Sequence, residues 1–201
     1  STLLASSAAS DVYKRQMKPI SVYGQAVDKD IINYSSMILD KCITLPDGTS
    51  WPSNFEGDYG SGGYIPAWYA VQQSKNTTAV RMAQVLGIDT CFNFLTDKLN
   101  VTTLDYTYDK AYSPIALGQL TQGMTLMELA GAYQIFGSGG VYYEPKLYNL
   151  ITDYNDKTVI EQEPLGDRVM ESDSAYITNR LLKAVTDTTN GSGRYAKIDG
   201  I

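Results

Sequence analysis

The sequence predicts a mainly α chain carrying short β-hairpins. Three observations set that expectation. Ala67–Asp89 places apolar residues on both sides of a polar triplet, Ser74-Lys75-Asn76, and reads as two short helices broken by a turn. Thr125-x-x-Glu128 is a capping box, and behind it Leu126, Leu129, Ala130, Tyr133 and Phe136 recur on one helical face. Leu147–Asp153 and Lys157–Gln162 alternate loosely about Tyr154-Asn155-Asp156, the pattern of a β-hairpin.

The remaining elements follow in chain order. Ser6–Gln16, SSAASDVYKRQ, reads as the translation of a common sequencing-library adapter. Residues 1–16 are therefore expected to be an artefactual, disordered segment, and 17–201 the domain. Ile20, Tyr23 and Val27 then recur at helical spacing, which predicts a short amphipathic helix with Lys18 in its first turn. Pro19 is tolerable there because first-turn N–H groups have no intrahelical partner. Residues 28–65 are the least regular. Leu45-Pro46-Asp47-Gly48 is a turn, since proline presets φ and glycine accepts a positive one. Gly57–Gly63, GDYGSGG, lacks the Gly-Lys-Ser/Thr end of a phosphate loop and reads as a connecting loop near a cleft. Thr77-Thr78 can cap the helix after the polar triplet, and Asp89 or Thr90 the next one, through about Leu99. Asp105 and Asp109 read as solvated acids in a loop. Ser172 or Asp173 starts a last helix whose apolar face is Ile177, Leu181, Ala184 and Val185, ended by Asn190-Gly191.

Composition narrows the function. The 201 residues suit one domain, with 43% hydrophobic and 19% charged residues, the balance of a globular chain. Sixteen Lys and Arg against 22 Asp and Glu give a net charge of −6, which argues against a nucleic-acid partner. There is no histidine, so Ser-His-Asp and Cys-His catalysis and histidine-ligated metal sites are excluded. Cys42 and Cys91 are too few for a metal cluster or a disulfide framework. Serine activated by lysine is the covalent chemistry left open.

Several stretches share one family resemblance. Met17-Lys18-Pro19-Ile20 resembles the tail of a Ser-x-x-Lys-Pro motif, and Ser74-Lys75-Asn76 a Ser-x-Asn triplet. Trp51-Pro52-Ser53-Asn54-Phe55, Ser113–Met124, Leu126–Pro145 and Thr186–Arg194 are similar to blocks that flank those motifs. Together they resemble the transpeptidase domain of class A penicillin-binding proteins, the bifunctional peptidoglycan synthases. The resemblance implies an incomplete piece of the α/β serine β-lactamase/transpeptidase-like fold. Most of the antiparallel sheet, and the Lys-Thr-Gly strand, would lie outside this stretch, leaving an apolar face exposed where the sheet docks.

The same resemblance implies acyl transfer through a serine ester on the D-Ala-D-Ala end of peptidoglycan stem peptides, with β-lactams as mimics and no cofactor or metal. Lys18 would be the base, Ser74 a proton relay and Asn76 a ligand of the substrate amide, so Ser74 and Asn76 also bind substrate. The nucleophilic serine belongs at position 15, where the adapter-like segment places Arg15. Lacking that serine and the Lys-Thr-Gly strand, the chain is expected not to form an acyl-enzyme. The parent protein would be membrane-anchored, with an upstream glycosyltransferase domain, and would act on the outer face of the bacterial cytoplasmic membrane. The alternative is a non-catalytic penicillin-binding sensor or wall-associated binding module of the same fold.

Overall fold

In the computed structural model, residues 14–163 and 165–197 are described. Of the adapter-like segment, residues 1–13 lie outside them, while 14–16 are helical and run directly into Met17.

A first helix, α1, runs through 14–18, a π-helical turn at Pro19–Tyr23 and Gly24–Asp28. It is the axle of the fold. Met17, Ile20, Val22, Tyr23, Ala26 and Val27 are buried, and so are Lys18, Ser21 and Gln25. A helix buried all round sits inside a protein. The expectation of an amphipathic helix with Lys18 in its first turn is therefore corrected: the helix begins earlier and has no solvated face here. Pro19 lies inside it, without an N–H to donate one turn back. The helix widens at that point, and the Gly24 N–H bonds the Pro19 carbonyl five residues earlier.

Helices pack around α1 on several sides: α2 (Ala67–Gln72), α3 (Asn76–Leu86), α4 (Ile88–Asn93, continued by a π-helical turn at Phe94–Lys98), α5 (Tyr112–Leu117), α6 (Leu126–Gly137) and α7 (Ser172–Asp187). Direct contacts to α1 come from α3, α4, α5 and α7. Ser21 Oγ lies 2.8 Å from the carbonyls of both Met17 and Ile115, tying α1 to α5 through a buried hydroxyl. Asp28 Oδ1 accepts the Glu171 N–H at 2.8 Å and so holds the start of α7. Gly118, after α5, has φ +72°, and a Cβ there would stand 2.7 Å from Lys14 Cα, so glycine lets this loop close on the beginning of α1.

The strands form four antiparallel two-stranded ladders among the described residues. Strands β2 (Ile43–Thr44) and β3 (Ser50–Trp51) close over the Leu45–Gly48 turn, and β6 (Leu150–Thr152) and β7 (Thr158–Glu161) form the expected hairpin. Two further ladders have no counterpart in the sequence pattern: β1 (Met37–Leu39) with β4 (Tyr64–Pro66), and β5 (Val141–Tyr143) with β8 (Gly166–Arg168). Three-residue strands are too short to show alternation. Among the described residues no helix is long and apolar enough to cross a membrane.

Local expectations meet mixed outcomes. The capping box forms as expected, Thr125 Oγ1 accepting from the Glu128 N–H and Glu128 from the Thr125 N–H. Of the expected face of α6, Phe136 is buried, Leu129 and Tyr133 pack half-buried against the core and Leu126 is exposed, while Gly131, Ala132 and Ile135 are buried without having been expected. LMELAGAYQIFG is apolar nearly all round, so periodicity could not select a face. Asp109 is fully buried, not solvated. Its carboxylate accepts from Asp105 N, Thr121 N and Thr121 Oγ1. Gly87 occupies the N-cap position of α4 in place of Asp89 or Thr90, while α7 starts at Ser172 as expected, with Glu171 at its N-cap.

Candidate active site

The turn between α2 and α3 presents Ser74. Its geometry is a Schellman motif: the Ser74 N–H bonds the Val71 carbonyl and the Lys75 N–H bonds the Ala70 carbonyl. The position that closes such a turn needs left-handed backbone and is ordinarily glycine. Ser74 occupies it with φ +53°, at a cost of about 1–2 kcal/mol. A residue retained there against its own backbone preference signals that its side chain is wanted.

Lys18 reaches this turn from the interior. Its Nζ donates to the Ser74 carbonyl at 2.7 Å, to Ser74 Oγ at 3.0 Å and to Asn76 Oδ1 at 2.6 Å. Three acceptors match the three hydrogens of an ammonium. Burial pushes the Lys18 amine down to about 7, with the Arg15 guanidinium adding to the fall. The group is thus poised between its charged and neutral forms near neutral pH. When neutral it has two N–H bonds and a lone pair, and the Ser74 hydroxyl can turn from acceptor to donor toward that lone pair.

Asn76 is held at both ends. Its Oδ1 receives Lys18, its Nδ2 donates to the Ser53 carbonyl at 2.8 Å, and its backbone N–H donates to Asn54 Oδ1 at 2.8 Å. Asn54 Oδ1 also receives the Thr77 N–H at 3.3 Å. The expectation that Thr77-Thr78 caps α3 is corrected. Lys75 is at the N-cap with no side-chain bond, and the free N–H groups are served by Asn54 from another part of the chain. Thr77 Oγ1 instead donates to Asp40 Oδ1 at 2.5 Å, and Thr78 Oγ1 lies 2.8 Å from the buried Tyr23 hydroxyl. Lys75, the middle residue, faces away from Lys18 and pairs with Glu56 at 3.5 Å and Asp58 at 3.6 Å.

Arg15 stands one helical turn before Lys18. Its guanidinium lies 4.3 Å from the Phe55 ring centroid. Arg15, Lys18, Phe55, Ser74, Asn76 and Gln119 line one small cavity of about 170 Å³. A side chain at position 15 therefore shares a cavity with the Lys18 amine, the Ser74 hydroxyl and the Asn76 amide, the arrangement that lysine-activated nucleophilic catalysis requires. A larger, mainly apolar cavity of about 500 Å³ adjoins it, walled by Tyr23, Val71, Tyr133, Leu182 and Val185. The structure thus brings Lys18, Ser74 and Asn76 together across more than fifty residues of sequence. The supporting residues Asn54, Asp58 and Asp40 carried no local signal beyond the Trp51–Phe55 resemblance.

Comparison with known proteins agrees with this arrangement. Residues 16–201 match the model of the penicillin binding protein transpeptidase domain. Penicillin-binding protein 1A of Clostridium novyi is 33% identical over 137 residues, covering 68% of this chain and 15% of that protein. Penicillin-binding protein 1F of Bacillus subtilis is 30% identical over 179 residues, covering 89% of this chain and 24% of that one. The chain thus spans a quarter or less of the length of these relatives. Among solved structures, the transpeptidase domain of Burkholderia pseudomallei penicillin-binding protein 3 superposes with a TM-score of 0.69 at 19% identity, covering 92% of this chain and 56% of that one. The D,D-transpeptidase domain of an Eggerthella lenta peptidoglycan glycosyltransferase gives 0.70 at 16% identity, over 92% and 50%. These likenesses show the fold, of which the mainly helical part with its short ladders is present here. By sequence and by fold, the chain belongs to the penicillin-binding protein transpeptidase family.

Proposed function

We propose that this chain is the part of a peptidoglycan D,D-transpeptidase that holds the base and the proton relay of a serine acyl-transfer reaction. The observation that carries the reading is the convergence of Lys18 Nζ on Ser74 Oγ and Asn76 Oδ1, one helical turn beyond position 15. With serine at position 15, neutral Lys18 takes the hydroxyl proton as the oxygen attacks the D-Ala-D-Ala carbonyl. Ser74 then passes a proton from Lys18 to the departing D-alanine amine. The ester so formed is opened by an amine of a second stem peptide, and a β-lactam is trapped at the ester stage. Asn76 Nδ2, now on the Ser53 carbonyl, and the Asn76 carboxamide as a whole border the cavity where the substrate amide lies. The parent protein is placed on the outer face of the cytoplasmic membrane, next to its substrate.

The test is covalent labelling by a fluorescent penicillin. The chain with Arg15 forms no labelled band. The protein with Arg15→Ser and the flanking coding sequence of its gene restored forms one, and a further Lys18→Ala change abolishes it. Labelling of the chain that carries Arg15, or full labelling of the Lys18→Ala protein, overturns the reading.

A further inference from the structure

We infer that Asn54 and Asp58 form a positioning relay that sets the Asn76 carboxamide against Lys18. The inference rests on Lys18 being the base of the proposed reaction. Asn54 is buried on the strap, residues 52–63, that links β3 to β4. Its amide has two ends with opposite tasks. Oδ1 accepts the N–H groups of Asn76 and Thr77, at 2.8 and 3.3 Å, which fixes where α3 begins. Nδ2 donates to Asp58 Oδ1 at 2.7 Å.

A carboxamide can turn over and exchange its oxygen and nitrogen. Turned over, Asn54 would direct N–H groups at the Asn76 and Thr77 N–H groups, and α3 would lose its cap. Asp58 forbids that orientation, because an ionised carboxylate accepts and does not donate. Its other contacts keep it ionised and in place: Oδ1 also receives the Gly60 N–H at 2.7 Å, and Oδ2 faces Lys75. The Asn54 N–H is the main cause that holds the Asp58 carboxyl below its ordinary range. The chain of dependence runs Asp58, Asn54, the Asn76 backbone, Asn76 Oδ1, Lys18. Neither Asn54 nor Asp58 touches the lysine, and their effect on it is by position alone.

The experiment follows the titration of Lys18 by NMR in the full chain labelled with [13Cε]lysine. Lys18 shares its cavities with Lys14 and Arg15 on its own helix, with Tyr23, Tyr133 and Tyr195, and with the uncharged Ser74 and Asn76; the variants alter none of these groups, so a lost acceptor is read directly. In Asn54→Leu the side chains that enclose Lys18, such as Val71, Tyr133 and Leu182, are unchanged while the ammonium loses its Asn76 acceptor. Its midpoint falls by about one pH unit, the worth of one charge-assisted bond. Asp58→Leu, at an exposed position, lowers it in the same direction. Asp58→Asn removes the ion pair with Lys75, but the Gly60 N–H holds the new amide's oxygen toward Asn54, and the midpoint stays within about 0.3 unit of the starting chain. A midpoint that stays put or rises in folded Asp58→Leu overturns the relay, and so does an Asp58→Asn midpoint that falls as far as that of Asp58→Leu. A Lys18 that titrates with the exposed lysines in the unaltered chain refutes the base assignment instead, so the two failures are distinguishable.

Discussion

A buried lysine with a depressed pKa makes stability depend on pH in a direction that can be calculated. In the unfolded chain Lys18 holds its proton up to about 10.5, whereas in the fold it begins to release it at about 7. Between those values the unfolded state binds more protons, so stability rises with pH. Below about 7 both states carry the charge, and the full burial penalty is felt. From pH 7.0 to 8.5 the integrated proton difference stabilises the fold by about 1.6 kcal/mol. No histidine titrates in this window. Burial pushes the Cys91 thiol up to about 12, which acts oppositely as pH rises through the ordinary thiol value and trims the gain slightly at the top of the series, in both proteins alike. The assay is urea unfolding at pH 7.0, 7.5, 8.0 and 8.5, on the unaltered chain and on Lys18→Met, which fills a similar volume without a titrating group. The unaltered chain gains stability across the series and Lys18→Met does not. Parallel pH profiles for the two proteins would refute the burial argument, and with it the idea that the fold prepares Lys18 as a neutral base.

Further outcomes follow from the strap and the thiols. Gly60 has φ +93°, and a Cβ there would lie 2.5 Å from the Asp40 carbonyl oxygen. Gly60→Ala should therefore lower the unfolding free energy by at least about 2 kcal/mol, read as a shifted urea midpoint; an unshifted midpoint refutes the close packing of Gly60 on Asp40. Thr77→Val keeps the shape of the side chain but leaves the buried Asp40 without its hydroxyl partner, and should cost about 1–3 kcal/mol in the same measurement; a neutral effect would deny Asp40 that role. In the native chain Cys42, half-buried, reacts with an aromatic disulfide reagent at least tenfold faster than buried Cys91. Equal rates would show that α4 opens readily.

The legible parts of the sequence were those whose signal is local. Thr125 and Glu128 are three residues apart, and the reciprocal cap they form is complete within one turn. The 147–162 hairpin announces itself through its turn residues. What failed to show was set by tertiary surroundings. Nothing around Ile20, Tyr23 and Val27 says that the opposite side of α1 is also enclosed, because the enclosing residues, such as Ile115 and Leu181, arrive far later in the chain. Asp109 looks like any loop acid until Thr121 folds back over it. The face of α6 was undecidable for the opposite reason: too many of its residues are apolar, and the close seating of Gly131 on Pro145 makes the choice.

The candidate site divides along the same line. Lys18, Ser74 and Asn76 could be named from motif spacing, but what makes them a chemical unit could not. The Ser74 turn does carry one local signal of its own. Helix α2 ends at Gln72 with Gln73 as its C-cap and no glycine after it, and α3 starts at Asn76, so a non-glycine residue has to take the left-handed turn. A serine in that place is a backbone anomaly, and it marks Ser74 on physical grounds alone. The support of the turn is a different matter. Asn54 caps α3 from 22 residues away, and Gln73 Nε2 fastens the turn's other side to the Asn190 carbonyl. A strained turn gripped from two remote segments positions its hydroxyl more firmly than a relaxed one would. On the proposed mechanism that firmness serves the relay, since a Ser74 hydroxyl rotated away from Lys18 would not pass the amine's proton on.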